Sequence, residues 1–148
     1  MLSVIKQLRQ SFAPAVESAR CTDLQLAAAV LLLEVSVADF ESQPEEKTAV
    51  LHALERAFAL NDDQVAILYE NAMTSSVSAI SLYDFIAVIN RECDQQEKKN
   101  LLTQLWRVAF ADGRIDKYED HRIRKIAELL YMPHRAFIQA RHEAEAER

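Results

Sequence analysis

The chain contains a single glycine, Gly113, among its 148 residues. Average usage would give about ten. Glycine supplies the positive-φ positions of hairpin turns and the close-approach positions of phosphate-binding loops. A chain with one glycine therefore has almost no means of building an all-β fold, a P-loop or a dinucleotide-binding turn. Half of its residues are hydrophobic and 27% are charged, which is enough apolar material for a core, so we expect a single all-α domain.

Apolar residues recur at helical spacing along most of the chain, and this pattern predicts a bundle of about seven or eight helices. Thr22 or Asp23 is suited to cap the second helix, Asp94 with Glu97 resembles a capping box, and Pro133 stands where a first-turn proline is tolerated. The predicted helices are Leu2–Phe12, Thr22–Ala38, Pro44–Leu60, Asp62–Ser75, Tyr83–Cys93, Asp94–Ala111, Lys117–Tyr131 and Pro133–Ala146.

The sequence repeats itself at an offset of 73 residues. Residues 33–39 align with residues 106–112, and the same offset places Glu46 on Glu119. A helix–turn–helix unit of this size cannot bury its apolar face alone. We therefore expect two similar halves that pack against each other about a pseudo-twofold axis.

The expected domain organisation follows from this repeat. Residues 1–20 form an amphipathic N-terminal helix and linker, and residues 21–148 form the helical domain. Within that domain the halves cover about 24–73 and 97–146, and the Ser/Thr-rich stretch 74–78 is predicted to link them.

Glu34 interrupts an otherwise apolar helix face, and its repeat counterpart is Arg107. A twofold axis brings corresponding residues together when they lie near it. Because an unpaired charge on a buried face is expensive, we predict an ion pair between these two side chains across the interface of the halves. A functional role for Glu34 is the alternative.

The only glycine lies in an acidic turn that runs from Ala111 to Glu119. Asp116 with Glu119 fits a helix cap, and Gly113 fits the end of the preceding helix, so this turn needs no metal to form. Asp112 is harder to explain, because a carboxylate in the last turn of a helix faces the negative end of its dipole. The negative charge of Asp112 could be compensated by backbone amides of the turn or by a weakly held hard cation, Ca²⁺ or Mg²⁺, and both interpretations stay open.

The turn is not an EF-hand loop. Aligning its glycine with the turn glycine of that loop puts Val108 and Phe110 at the first and third ligand positions, and neither carries an oxygen ligand. The first repeat has Val35 and Val37 at these positions.

The apolar stretch 26–35 followed by Ala38-Asp39, and the stretch 105–113 with its Ala-Asp-Gly, resemble the TerB-like family of helical domains. The resemblance covers nearly the whole chain. It implies an all-helical fold of two pseudo-symmetric halves, with metal ions bound by acidic residues of the turns. It also implies a cytoplasmic protein that acts in stress responses with membrane-associated protein partners.

Carried over by position, the metal ligands that the resemblance implies are Asp39 and Glu46 in the first turn, and Asp112, Asp116 and Glu119 in the second. The first turn departs from the family pattern.

Phe40 stands there in place of the usual glycine, and Gln43 stands where the second turn has Asp116. We therefore expect the second turn to be the better cation site.

No nucleophile and base can be placed together, and the four histidines have no metal-ligand spacing, so we expect a non-enzymatic interaction module. The alternatives are a structural scaffold that docks a membrane-associated complex and a metal-dependent phosphoester hydrolase. The net charge of −6 argues against nucleic acid as a partner. No apolar run reaches the roughly 20 residues of a membrane span, and we expect a cytoplasmic protein.

Overall fold

The structure is a computed structural model that describes residues 22–36, 44–77, 82–111 and 117–147. Within these residues it contains seven helices and no strand. The helices are α1 (Asp23–Ser36), α2 (Pro44–Phe58), α3 (Asp62–Val77), α4 (Leu82–Glu92), α5 (Gln95–Phe110), α6 (Lys117–Leu129) and α7 (His134–Ala146).

The prediction of an all-α bundle is confirmed, and seven of the eight predicted helices are present. The eighth, Leu2–Phe12, lies outside the described residues, as does the domain boundary at residue 20. The predicted linker at 74–78 is wrong for its first four residues, because α3 continues through them to Val77. The Thr74 hydroxyl donates a hydrogen bond to the Glu70 carbonyl one turn earlier, so this polar side chain is satisfied within the helix.

Side-chain caps fix where several helices begin. Thr22 and Gln25 form a reciprocal pair at the start of α1, in which each backbone amide donates to the other residue's side chain, at 3.2 and 3.1 Å. Asp94 and Glu97 form the predicted capping box of α5, with both bonds at 2.9 Å. Pro133 precedes α7 as its N-cap and is not in its first turn.

Helices α2 and α6 end in the same unusual way. Ala59 and Tyr131 adopt left-handed backbone conformations, with φ of 52° and 58°. The next amide then donates to the carbonyl five residues earlier, from Leu60 at 3.3 Å and from Met132 at 3.0 Å. This is the Schellman arrangement, which usually places glycine at the left-handed position. The chain builds both ends without glycine.

Helix packing follows the sequence repeat, because the offset of 73 residues relates α1, α2 and α3 to α5, α6 and α7. The pair α1–α3 corresponds to α5–α7, and α1–α2 corresponds to α5–α6; all four pairs pack together. Between the halves, α1 packs on α5, and the corresponding pairs α1–α6 and α2–α5 are both in contact. Helix α4 precedes the second half in sequence but packs on α1 of the first.

The core is one continuous apolar cluster with α1 at its centre. Corresponding residues of the two halves have similar burial. Val50 and Ile123 are both completely buried, and Val35 and Val108 are as well. The aromatic side chains of the core are concentrated in the second half, where the Trp106 ring lies 5.3 Å from the Phe137 ring.

The predicted ion pair between Glu34 and Arg107 is wrong. Glu34 pairs with Arg122 of α6, and Arg107 pairs with Glu147 just after α7. The repeat offset supplies the reason, because the image of the Glu34–Arg122 pair is Arg107 with Ala49, and alanine carries no charge. Arg107 therefore finds its acid within its own half, while Glu34 joins the two halves.

Candidate functional site

The five acidic residues predicted as metal ligands divide between described and undescribed parts of the chain. Asp39, Asp112 and Asp116 lie outside the described residues. Glu46 and Glu119 are described, and they occupy corresponding positions in the two halves.

Glu46 and Glu119 are both buried, with 0% and 1% of their surface exposed. Each is the third residue of its helix, since α2 begins at Pro44 and α6 at Lys117. Here the positive end of the helix dipole favours a carboxylate, although burying a charge is expensive without compensating interactions. Both side chains interact with other groups. The exposed neighbour Glu45 shows that burial is a property of this one position.

The position of these two glutamates fits both interpretations of the turns. The third residue of a helix is where a glutamate can accept a bond from the N-cap amide, as Glu97 does in α5. It is also where a carboxylate can reach a cation held in the preceding turn. The start of α2 at Pro44 puts Glu46, and not Glu45, at the third helical position in the first half.

The described residues alone do not complete a metal site. Among them, no three His, Cys, Asp or Glu side chains lie close enough to hold a metal ion. Each turn contributes one buried carboxylate, and further ligands would come from Asp39, Asp112 and Asp116. All five donors are oxygens, which suits Ca²⁺ or Mg²⁺ better than zinc.

The residues that would have to ligate calcium in an EF-hand belong to the core. Val108 is completely buried and Phe110 is 7% exposed, within the last turn of α5. Val35 of the first half is completely buried as well. The prediction that Val35, Val108 and Phe110 are core residues of the preceding helices is confirmed.

A second feature, which we did not predict from the sequence, is a cleft of about 360 Å³ lined by residues of α1, α2, α4, α5 and α7. Its lining combines apolar side chains with charged and amide side chains, a mixture typical of binding surfaces. The apolar lining includes Leu24, Ala28, Leu32, Leu54, Phe58, Ile89 and Leu101; the polar lining includes Arg56, Glu97, Asn100, Gln104, Arg107 and Glu143.

Several polar groups of the cleft have defined partners. Glu143 forms an ion pair with Lys99 at 3.2 Å, and Arg107 is paired with Glu147. The Gln104 side-chain oxygen is buried and has no hydrogen-bond partner among the described residues. The signal in the sequence that could have revealed this cleft is the pair of polar residues Asn100 and Gln104 on one helix face, because their repeat counterparts, Ala27 and Leu31, are apolar.

Cys93 lines the same cleft and is half-buried. Burial, followed by the charges of Glu97 and Glu92, raises the pKa of its thiol to about 12. The nucleophilic form of cysteine is the thiolate, so this side chain is unreactive near neutral pH. Cys93 is therefore not an activated nucleophile.

None of the described helices combines the length and the apolar character that crossing a membrane requires. Among curated proteins, none matches this chain. A crystal structure of a protein of unknown function, PG1108 from Porphyromonas gingivalis W83, is similar, with 22% identity and a TM-score of 0.63. The similarity covers 85% of this chain and 97% of that one, and it establishes a shared fold. The family model "Tellurite resistance protein TerB" matches residues 25–142, which span α1 to α7 except for their outermost residues, so the chain belongs to the TerB family.

Proposed function

We propose that this TerB-family protein is a non-enzymatic, cytoplasmic interaction module whose acidic turns hold a hard divalent cation, Ca²⁺ or Mg²⁺, and thereby present a defined surface to protein partners. The observation that carries this proposal is the burial of Glu46 and Glu119, 0% and 1% exposed, at corresponding places in the two halves. A carboxylate that served only solubility would point to water. Two buried carboxylates at the same place in a duplicated turn indicate a shared role.

The chemistry of the described side chains favours binding over catalysis. The pKa of the Cys93 thiol is raised to about 12, which suppresses its thiolate. The four histidines, His52, His121, His134 and His142, are all exposed. A general base is normally held close to its nucleophile by a third group.

Isothermal titration of the chelator-treated chain with Ca²⁺ and with Mg²⁺ tests the cation site. The informative variants are Glu119→Gln and Glu46→Gln, because glutamine keeps the shape and the hydrogen-bonding ability of a helix cap and removes the charge. We expect Glu119→Gln to weaken cation binding by at least about tenfold, with a smaller effect of Glu46→Gln. Glu45→Gln, an exposed neighbour, is the matched control and should bind as the wild type does.

Absence of binding by the wild-type chain, or equal binding by wild type and Glu119→Gln, would falsify the cation site. The turns would then be helix caps, and the interaction role would stand alone. That role predicts partner capture that is lost on chelation and in Glu119→Gln but retained in Glu45→Gln. Capture that ignores the cation contradicts the link between the two.

A further inference from the structure

The first half of α6 is strongly basic. Lys117, Arg122, Arg124 and Lys125 all lie within six residues of the buried Glu119. A positive charge lowers the affinity of a nearby site for a divalent cation, and salt screens this repulsion only beyond about 8–10 Å at physiological ionic strength. If Glu119 helps to hold a cation, as proposed above, the charges nearest to it must be neutralised.

Arg122 is the base that shares a helix face with Glu119. Residues three apart are neighbours on a helix surface, with about 5–6 Å between their Cβ atoms, whereas residues two apart are not. Lys117 is two residues from Glu119 and already interacts with another group. Arg124 is five residues away and pairs with Asp120. The charge of Arg122 is therefore the one that most affects a cation at Glu119.

The acid that neutralises Arg122 comes from the other half of the molecule. Glu34, in the last turn of α1, forms an ion pair with the Arg122 guanidinium. Every other residue of α1 from Ala27 to Ser36 is buried, so Glu34 is the one charge in an apolar stretch. Both partners are partly exposed, and pairs of this kind contribute little to stability. The presence of Glu34 in α1 thus asks for a reason other than stability.

The first half has no such pair beside its own buried glutamate. At the repeat offset, the residue that corresponds to Arg122 is Ala49, three positions after Glu46. The residue that corresponds to Glu34 is Arg107, which pairs with Glu147. An arginine and its acid therefore stand beside Glu119 only, in the half whose turn is the better predicted cation site.

We propose that Glu34 is a positioning residue for the cation site at Glu119, because it holds and neutralises the Arg122 guanidinium. This inference rests on the proposed cation site, and Glu34 itself is not a ligand. The affinity of a turn in the second half is thus set by a residue of the first. Because coupling between two sites is reciprocal, a bound cation in turn favours the contact between the halves.

Calorimetric titration with Ca²⁺ and with Mg²⁺ at low ionic strength tests this proposal in the full chain. Glu34→Gln leaves the charge of Arg122 uncompensated, so we expect cation affinity to fall about three- to tenfold. Arg122→Gln removes that charge and leaves Glu34 negative, so we expect affinity to rise by a similar factor. The double variant, which removes both charges, should bind nearly as the wild type does.

The opposite directions of the two effects separate this role from a purely structural one. Each substitution breaks the same ion pair, so the urea midpoints of the cation-free variants should shift alike. Lys125→Gln is the matched control, because it removes a positive charge about 9 Å further along the helix than Glu119. We expect it to change affinity less than twofold. High salt should reduce all of these differences.

Three results would overturn the proposal. Weaker binding by both Glu34→Gln and Arg122→Gln would mean that the pair acts only by docking the halves. Unchanged binding by both would mean that their charges do not act on the site, although the cation site itself would stand. No binding by the wild-type chain would remove the cation site and this inference together, and it is recognised before any variant is measured.

Discussion

Helices α1 and α5 occupy the same place in the two halves, yet they differ in what surrounds them. Helix α1 is buried on nearly every side. Leu26 in its first turn is half-buried, and beyond that turn Glu34 is the only residue that is not buried. Helix α5 has partly exposed polar residues, Asn100, Gln104 and Arg107, along one face. Its core side has a larger aromatic contact than α1 has. The comparison teaches that a repeated sequence pattern fixes the helix and its place, whereas the neighbours decide which face must be apolar.

The largest effect should come from the aromatic side of α5. Trp106 is completely buried and packs between Phe110 and Phe137, with the Arg141 guanidinium 5.2 Å from its ring centre. Trp106→Ala should lower the free energy of unfolding by about 3–5 kcal/mol, measured by urea denaturation. Its image substitution, Leu33→Ala, should cost less because it removes fewer atoms. The reverse order would break the assignment of the aromatic cluster as the anchor of the second half.

The partly exposed face of α5 is tested against the buried face of α1 by one matched pair of substitutions. Leu31→Ala should lower the free energy of unfolding by about 2–5 kcal/mol, because Leu31 is completely buried. Gln104→Ala, at the corresponding position, should cost less than about 1 kcal/mol, because it removes a polar side chain that lines the cleft. Losses of equal size in the two variants would contradict the difference between the faces.

Where the two halves have the same backbone conformation, substitutions at corresponding positions should change the free energy of unfolding by similar amounts. Ala59 and Tyr131 end α2 and α6 in the left-handed region, and both are exposed. Replacing either with glycine relieves a steric cost without removing a core contact. We expect Ala59→Gly and Tyr131→Gly each to raise the free energy of unfolding by about 0.5–1 kcal/mol. Destabilisation by either variant would show that the side chain supports the turn.

The ion pair between Glu34 and Arg122, which joins the halves, should contribute least to the free energy of unfolding. The Arg122 and Glu34 side chains are 46% and 25% exposed, so water and salt screen their attraction. Glu34→Gln should cost about 0.2–1 kcal/mol at low salt and less at high salt. Arg91→Gln, which breaks an exposed pair with Glu92 inside one helix, is the control for charge removal alone. A loss above that range would mean that the pair helps to dock the halves.

The pH dependence of Cys93 alkylation tests whether this thiol is buried, and it needs no substitution in the core. Its pKa is raised to about 12, so in a chain carrying Cys21→Ser, where Cys93 is the only thiol, its alkylation rate should still be rising at pH values above 10. An unfolded thiol titrates near 8.5. Between these values the unfolded chain releases the proton first, so the stability of the fold should fall as the pH rises through this window. An alkylation curve that levels off near 8.5 would contradict the burial of the thiol.

Most of the fold could be predicted from the sequence, because helical periodicity, caps and the repeat all agree. The capping box of Asp94 with Glu97 and the start of α2 at Pro44 are examples. The partner of Glu34 could not be predicted, since a sequence offset gives the counterpart of a residue but not its distance from the symmetry axis. The linker prediction for 74–77 failed for a different reason: consecutive Ser and Thr disfavour a helix, but here the Thr74 hydroxyl is hydrogen-bonded within α3.

The candidate site was predictable only in part. The burial of Glu46 and Glu119 agrees with a special role for the acidic turns, and Asp39, Asp112 and Asp116 stay predictions. The cleft was missed because its signal, polar Asn100 and Gln104 where the first half has Ala27 and Leu31, appears only when the two halves are compared position by position.

The position of α4 has a consequence for how the chain is synthesised. Helix α1 lies near the beginning of the chain, but its burial requires α4, α5 and α6, which are translated later. During translation the apolar surface of α1 therefore stays exposed while about ninety further residues, 37–129, are made. Nascent chains with exposed apolar helices are prone to aggregate and are the substrates of chaperones. The first half of this protein is thus the part that depends most on protection before the chain is complete.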